Sequence, residues 1–305
     1  MQQLIRERSR SCDSTRIQGQ NIPRAFGVKR CFNARPGYVF LCFDFSSAEV
    51  KILAAICKDP NMLKAVNEGL DFHSFSAAAM FGISYEDFVA AVEDSSHKLH
   101  KDYKSMRQSA KALTFGILYG SSAGGVANAL NVTIERANEL IAMYFKAFPG
   151  VKTYIDQTHA AAIANRFVTT PFGHRRQFYG TNPVFKGTAA YNAALRGSQN
   201  YVIQSATSVL GAIVFSQINR EVKAMGGLCV ATVHDSIEAE VPVGMAAKAI
   251  EMTYYYMNDW PQTQYDWLGL SIGSDGEMGT NWDNVKKVHR GTTQEEALSI
   301  LLTLE

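Results

Sequence analysis

YVFLCFDF (residues 38–45) is an apolar run rich in aromatic residues, bounded by a Pro-Gly and a Ser-Ser dipeptide. Such a run between turn-forming residues predicts a buried β-strand. The chain continues with Val50, Ile52, Leu53 and Ile56 available for one helix face, and a serine of the Ser-Ser dipeptide can cap that helix. The stretch therefore predicts a strand that turns directly into a helix.

The other strand signals lie near the far end of the chain. LCVATVHDSIEAEV (228–241) predicts a hairpin with His234 and Asp235 at its bend, and a last strand is predicted near Leu268–Ile272. Between them, residues 61–170 are almost wholly helical in pattern, and a long helix is predicted over 188–223. Strands around a helical insert predict an α+β fold, in which a sheet domain carries a helical lobe.

Composition narrows the class of protein. The 305 residues are 47% hydrophobic, and no uninterrupted apolar run reaches the roughly 18 residues of a membrane span, so we expect no membrane partner. Five cysteines without CxxC spacing, and no secretory signal, predict free thiols in a reducing cytoplasm. The net charge is only +2, but the first thirty residues are strongly basic. That arm is compatible with simple solvation and with phosphate contact.

Two aspartates lie where a nucleotidyl-transfer site could form. Asp44 lies near the end of the first strand, and Asp235 lies at the hairpin bend. Either one alone is equally compatible with capping a turn. Together, two carboxylates on strands supply the hard oxygen ligands that suit Mg²⁺, and two such ions can activate a hydroxyl and neutralise a leaving pyrophosphate.

A helix in the predicted lobe pairs cations with aromatic residues. Arg107, Lys111, Phe115 and Tyr119 recur every four residues and so share one helix face. The two cations can bind a triphosphate, with Lys111 able to protonate leaving pyrophosphate, and the aromatic rings can line the sugar and base side. A solvated or core stripe is the alternative. Gly116 and Gly120 favour a close-approach surface, because each weakens a helix by about 1 kcal/mol.

These motifs resemble the polymerase core of family A DNA polymerases, the bacterial DNA polymerase I and phage group. Motif A, D-Y-S-x-x-E, resembles Asp44–Glu49, motif B resembles Arg107–Gly120, and motif C, V-H-D-E, resembles Val233–Ser236. Further similar blocks occur in the family's order. They are QNIP at 20–23, DxH at 71–73, YFxxxPGV at 144–151, a T-x-x-G-R-R-R-like block at 170–176, R-x3-N-x3-Q at 196–204 and GxNWD at 279–283.

The resemblance implies roles for particular residues. The metal ligands would be Asp44 and Asp235, helped by the Phe45 carbonyl, with two Mg²⁺ ions as the cofactor. The incoming dNTP would contact Glu49, His73, Arg107, Lys111, Phe115 and Tyr119. The primer–template DNA would contact Gln20, Asn21, Arg175, Arg176, Arg196, Asn200, Gln204 and His234. Glu49 would exclude a ribose 2′-hydroxyl, and Phe115 stands where a tyrosine would favour dideoxynucleotides, so we expect discrimination against them.

The resemblance also implies a subdomain plan and a reaction. The plan is an antiparallel-sheet palm with inserted helical fingers: palm at 1–58 and 191–286, fingers at 59–190, and a helical tail at 287–305 that could contact a partner. The reaction is template-directed addition of dNTPs to a primer 3′-end. Intact Asp44, Lys111 and Asp235 argue against the rival hypothesis of a non-catalytic DNA-binding assembly subunit.

Three departures from the family shape the remaining expectations. Ser236 replaces the motif C glutamate, as in single-subunit RNA polymerases, so an RNA polymerase or primase of the same superfold is the rival enzyme; Glu49 and Phe115 favour DNA. Lys51 stands where arginine is usual. The family's thumb and exonuclease-like domain normally precede QNIP. We therefore predict a split, phage-encoded polymerase acting in the bacterial cytoplasm, with those parts on a separate polypeptide.

Overall fold

The computed structural model describes residues 25–304, in two compact units that share the chain discontinuously. The predicted contacts of Gln20 and Asn21, and most of the basic arm, lie outside the described residues. Within the described residues, one unit comprises residues 25–44, Ile218–Thr253 and 275–304, and the other comprises Phe45–Gln217 and Tyr254–Ser274. The predicted subdomain boundaries stay a prediction.

A five-stranded sheet is the centre of the first unit. Its strands, in the order β4-β5-β1-β6-β7, are β1 (Tyr38–Phe45), β4 (Leu228–Val233), β5 (Ser236–Pro242), β6 (Ser274–Gly279) and β7 (Val285–Val288). The β1–β5, β4–β5 and β6–β7 pairs are antiparallel. Side chains alternate along a strand, so Leu41 and Phe43 enter the apolar core with Ile237 and Val241. The opposite face carries Glu238 and Glu240, which pair with Cys42 and Phe40.

The second unit is predominantly helical. Its helices are α1 (Ala48–Cys57), α2 (Pro60–Asn67), α3 (Phe72–Phe81), α4 (Tyr85–Glu93), α5 (His100–Leu118), α6 (Ala123–Leu130), α7 (Ile134–Ala147), α8 (Pro149–Asn165) and α11 (Trp260–Gln264). A short antiparallel pair, β2 (Phe167–Thr169) and β3 (Arg175–Gln177), follows α8. Helix α3 packs against α5 and α7, and Phe88, Leu113, Tyr144 and Phe148 are fully buried.

Three further helices belong to the first unit wholly or in part. They are α9 (Ala189–Ala224), α10 (Ala246–Tyr254) and α12 (Gln294–Leu302). In α9 the division between the units falls after Gln217. By length and composition alone α9 could cross a membrane, but a core helix of a soluble protein passes the same test. Its buried residues recur every four positions, at Ala206, Leu210, Val214, Ile218 and Val222, as a helix packed along one side requires.

The mixed fold of helices and antiparallel strands is as predicted, and β1 matches its predicted range. The last strand is a correction. Leu268, Leu270 and Ile272 are buried at alternate positions, yet the strand lies at Ser274–Gly279 instead. Ammonium groups satisfy carbonyls of the buried segment, since Lys58 Nζ donates to Trp267 O over 2.7 Å and Lys51 Nζ donates to Ile272 O. The segment therefore needs no neighbouring strand.

One helix start differs from the prediction made for it. Ser84 and Thr133 cap α4 and α7 through side-chain hydrogen bonds. Ser47 occupies the capping position of α1 but makes no side-chain cap hydrogen bond, and its φ is 56°. The serine pair therefore provides a sharp turn out of β1 rather than a side-chain cap.

Candidate active site

Asp44 lies opposite the Asp235 hairpin in the sheet of the first unit. Antiparallel pairing of β1 with β5 sets Asp44 against Ser236, the residue that directly follows Asp235. Val233 pairs with Ser236, so His234 and Asp235 form a two-residue turn, in which His234 adopts a φ of 59°. Left-handed φ values are uncommon for non-glycine residues, although histidine is enriched among them. The β1–β5 pairing and this turn thus place both aspartates at one end of the sheet.

The electrostatics of Asp44 indicate a crowded acidic site. The residue is exposed, yet loss of hydration around its carboxyl group and the charge of Asp235 raise its pKa to about 7. A hydrogen bond with Asp235 and the charges of Glu238 and Asp275 act in the same direction. Like charges held together favour protonation of one of them, or a bound cation. Mg²⁺ binds carboxylate oxygens and offsets the repulsion between them. Asp44 and Asp235 therefore fit that ion.

Glu238 is an unexpected member of the acidic group. It is 2% exposed, and its Oε1 lies 2.5 Å from Ser236 Oγ. Burial raises its pKa to about 7, although Ser236 and Lys29 act to lower it. Its Oε2 has no hydrogen-bond partner within residues 25–304. Leaving a buried acceptor unsatisfied costs about 1–3 kcal/mol, so a hydrogen-bond donor at this oxygen would stabilise the site.

No group of three or more potential metal-binding His, Cys, Asp or Glu residues occurs in the described part of the chain. The candidate site therefore consists of the Asp44–Asp235 pair, and any further ligand would have to be a carbonyl, water or substrate oxygen. Phe45, whose carbonyl was predicted to assist, ends β1 directly after Asp44.

The predicted triphosphate-binding helix is α5 of the second unit. Arg107 donates to both carboxyl oxygens of Asp71, from Nε over 2.7 Å and from a terminal nitrogen over 3.0 Å, and Nε also contacts Ser74 Oγ. Burial opposes ionisation of Asp71, but hydrogen bonds from Arg107 and Ser74 outweigh it and lower the pKa of Asp71 to about 2. Lys111, one turn further along α5, is exposed. Of the two cations predicted to bind the triphosphate, Arg107 is thus held in an ion pair with Asp71, whereas Lys111 is exposed.

His73 lies beside this cationic helix. It is 7% exposed, its Nδ1 has no partner among the described residues, and its ring lies 5.8 Å from that of Phe115. Burial lowers the pKa of His73 to about 4 against the charge of Asp71, and Lys111 and Arg107 lower it further. The imidazole is therefore neutral near pH 7 and retains an unused nitrogen.

The aromatic end of α5 meets the residue predicted to select the sugar. The rings of Phe115 and Tyr119 stack with centroids 6.2 Å apart, and Tyr119 Oη donates to Glu49 Oε2 over 2.8 Å. Helix α1 presents Glu49 in its first turn, since motif A turns directly from β1 into that helix. The hydrogen bond brings together residues predicted separately, from motif A and motif B.

The two glycines of motif B, Gly116 and Gly120, lie in different steric surroundings. Gly120 has a φ of +70°, and a Cβ there would lie 2.7 Å from the Cβ of Arg196 on α9. At Gly116 the nearest atom would be 3.6 Å away, an ordinary contact. Close approach therefore explains Gly120 and not Gly116. Gln199, which our sequence analysis did not single out, fixes the same junction by donating to Ile117 O over 2.7 Å.

The predicted DNA contacts of the second unit lie on two elements. Arg175 lies over the Phe167 ring at 5.0 Å, and Arg176 lies 5.3 Å from the Phe178 ring centroid. Both are exposed on β3. Helix α9 carries Arg196, Asn200 and Gln204, at successive turns of one face. His234, also exposed, is in the first unit at the β4–β5 turn.

Sequence reasoning assigned no role to four residues of these sites. They hold or accompany predicted groups, and they are Asp71, Ser74, Gln199 and Glu238. Asp71 carried a signal, because Asp directly before a helix is a preferred N-cap residue. Glu238 carried only the alternation of a strand, in which residues two apart share a face.

Comparison with known proteins identifies the family. The chain matches DNA polymerase family A over residues 12–284, and it belongs to that family. It is 30% identical over 278 residues to DNA polymerase I of Chloroflexus aurantiacus, covering 89% of this chain and 27% of that protein. DNA polymerase I of Rhizobium leguminosarum is 30% identical over 275 residues, covering 87% and 25%. The chain thus spans about a quarter of the length of these relatives.

A solved structure has the same fold. The POL domain of Pol1 from M. smegmatis, in complex with DNA primer-template and dNTP, superposes with a TM-score of 0.74 at 24% identity. The match covers 88% of this chain and 45% of that one.

Proposed function

We propose that this chain is the catalytic core of a DNA-directed DNA polymerase, which adds dNTPs to a primer 3′-end on a template. One observation carries the proposal: in a chain of family A, β1 holds Asp44 opposite the hairpin turn that bears Asp235. The sheet unit would act as the palm and the helical lobe as the fingers. In the reaction, the sheet unit would supply the metal-binding aspartates, and the helical lobe would supply the groups that bind the triphosphate.

Asp44 and Asp235, with the Phe45 carbonyl, would hold two Mg²⁺ ions. When bound, these ions lower the pKa of the primer 3′-hydroxyl and neutralise charge on the leaving pyrophosphate. The exposed Nζ of Lys111 would deliver a proton to that pyrophosphate. Arg107 and His73 would orient the triphosphate, and Arg107 would exchange one hydrogen bond with Asp71 or Ser74 for a phosphate oxygen.

The remaining predicted residues would select the substrate and hold the duplex. Glu49, fixed by Tyr119, would exclude a 2′-hydroxyl, and Phe115 would disfavour dideoxynucleotides. Arg175, Arg176, Arg196, Asn200, Gln204 and His234 would contact the primer–template.

Primer extension on a recessed template, with Mg²⁺ and dNTPs, tests the proposal. We expect extension by the wild type and none by Asp235→Ala. The same assay with ribonucleotides separates the rival RNA polymerase or primase, which Ser236 favours. A DNA polymerase would accept ribonucleotides only after Glu49→Ala, whereas ribonucleotide use by the wild type would overturn the assignment. Wild-type protein that binds primer–template without extending it, even after a thumb-bearing polypeptide is added, would favour a DNA-binding assembly subunit.

The origin and partner are proposals of the same kind. We propose a phage-encoded chain, acting in the bacterial cytoplasm, whose helical tail contacts a separate thumb-bearing polypeptide. Support comes from α12, where Leu298 and Leu302 are 43% and 74% exposed although the helix docks on its own unit through Gln294. Co-elution with a thumb-bearing polypeptide in size-exclusion chromatography, lost in Leu298→Glu/Leu302→Glu, would support a partner. Full processivity of the isolated chain would contradict it.

A further inference from the structure

A serine replaces the family's motif C glutamate in this chain, and a buried glutamate lies beside that serine. Ser236 Oγ lies 2.5 Å from Glu238 Oε1 and 2.9 Å from the carbonyl oxygen of Val233. The serine therefore links Glu238 to the strand end from which the Asp235 turn begins. Its single hydroxyl proton can serve only one of these two acceptors at a time.

Glu238 shares a face of the sheet with Asp44. Residues directly opposite in an antiparallel pair point to the same side, as do residues two apart on one strand. Asp44 pairs with Ser236, and Cys42 pairs with Glu238, so the glutamate lies one same-face position from Asp44's direct partner.

The second carboxyl oxygen of Glu238 lacks a hydrogen-bond donor among the described residues. The side chain is 2% exposed and Oε2 has no partner within residues 25–304, although Oε1 is used. Glu240, two residues further on the same face, is the instructive contrast, because Arg35 forms an ion pair with it at 2.5 Å. A buried carboxyl with one unsatisfied oxygen next to two predicted cation ligands is suited to accept a hydrogen bond from a hydrated cation.

We infer that Glu238, held by Ser236, replaces the absent motif C glutamate as the outer acidic group of the Asp44–Asp235 cation site. It acts as a positioning residue, one hydrogen bond removed from the reacting atoms. The acidic group has thus moved two residues along β5 while staying on the same sheet face. This inference rests on the proposed function, since it deepens the role of the same site.

Cation binding measured without catalysis tests the inference. The full chain is titrated with Mn²⁺, and free Mn²⁺ is measured by electron paramagnetic resonance for the wild type, Glu238→Gln, Glu240→Gln and the double variant Ser236→Glu/Glu238→Gln. Partners one hydrogen bond from a metal ligand typically contribute about 10–100-fold in metal affinity. We expect Glu238→Gln to weaken Mn²⁺ binding about tenfold, and the double variant to return within about threefold of wild type.

Glu240→Gln is the matched control. It removes a buried acid from the same strand face, and we expect a lower unfolding temperature with unchanged Mn²⁺ affinity. The inference is overturned if Glu238→Gln binds Mn²⁺ like the wild type, or if Asp44→Asn, titrated in the same way, binds Mn²⁺ as well as the wild type. If the double variant does not fold, the contrast between Glu238→Gln and Glu240→Gln still decides. Wild-type protein that binds Mn²⁺ but extends no primer, even with a thumb-bearing polypeptide added, would reject the proposed function alone.

Discussion

The guanidinium group of Arg107 is held in place by Asp71 and Ser74, at the start of α3. Arginine and carboxylate meet through two parallel hydrogen bonds, which fix the plane of the guanidinium as well as its position. A phosphate approaching Arg107 therefore meets an oriented donor. The same ion pair makes a measurable contribution to stability.

Asp71→Asn removes the charge of this pair while keeping a residue that can cap α3. At pH 6 we expect a loss of about 0.5–1 kcal/mol in the free energy of unfolding, because both side chains are about one-third or more exposed and water screens them. The folded-state pKa of Asp71 is lowered to about 2, so the contribution is present above about pH 4 and is lost as the pH falls towards 2.

Urea unfolding of both proteins at pH 6 and pH 3 measures this difference. It should be smaller at pH 3, and a difference that grows on acidification would contradict the ion-pair explanation. Asp71→Ala, which also removes the cap, should lose about 1 kcal/mol more at both pH values.

At the scale of elements, one buried carboxylate joins two helix starts. Asp59 is 0% exposed; its Oδ1 accepts from the backbone nitrogens of Asn61 and Met62 at the start of α2. Its Oδ2 accepts from Gly150 N at the start of α8, over 2.7 Å. Gly150 allows this approach, since a Cβ there would lie 2.8 Å from Asp59 Cβ.

Asp59→Ala should therefore destabilise the chain by roughly 3 kcal/mol, because it removes two caps and leaves buried N–H groups unsatisfied. Ser84→Ala is the matched control, as Ser84 is an exposed cap serving only α4. We expect a loss of about 1 kcal/mol there. Urea unfolding at pH 7 compares the two, and equal losses would show that the second cap contributes nothing.

The junction of α5 with α9 gives a second prediction at this scale. Gly120→Ala would force a Cβ to within 2.7 Å of Arg196 at a φ of +70°, so we expect a loss of about 2–3 kcal/mol. Gly116→Ala, inside α5 and with its nearest atom at 3.6 Å, should be neutral or gain about 0.5–1 kcal/mol. Thermal unfolding checks both. A loss at residue 116 as large as that at 120 would contradict the steric explanation.

For the whole molecule, the acidic face of the sheet links stability to pH. The pKa of Asp44 is raised to about 7, so the folded state holds this proton more tightly than the unfolded state. Its contribution to stability is present below about pH 4 and is lost as the pH rises through 7. Buried His73, whose pKa is lowered to about 4, acts in the opposite direction, so only a difference between variants isolates Asp44.

Asp44→Asn should therefore be more stable than the wild type at pH 8 without divalent cations, by roughly 1 kcal/mol after screening by water. The gain should shrink as the pH falls towards 5. Urea unfolding with a chelator at both pH values measures it. Added Mg²⁺ should stabilise the wild type more than the variant, and equal stabilisation would argue against cation binding at Asp44.

Local chemistry allowed much of the architecture to be predicted from the sequence. The run at 38–45 is a strand because it is apolar and ends in turn residues, and the hairpin around Asp235 forms from two alternating strands joined by two residues. Helix caps such as Ser84 are equally local. In β6, SDGEMG has almost no strand-forming residues, so only its pairing in the sheet reveals it.

The sequence by itself determined the strand–turn–helix at Asp44, the hairpin at Asp235 and the cationic face of α5, because each depends on residues a few positions apart. Only the tertiary structure decided which groups those residues meet. Arg107 meets Asp71 thirty-six positions away, Tyr119 meets Glu49, and one oxygen of Glu238 has no partner among residues 25–304. Which side chains pair, and which polar atoms stay unpaired, depends on how distant elements pack. No periodicity in the chain encodes that packing.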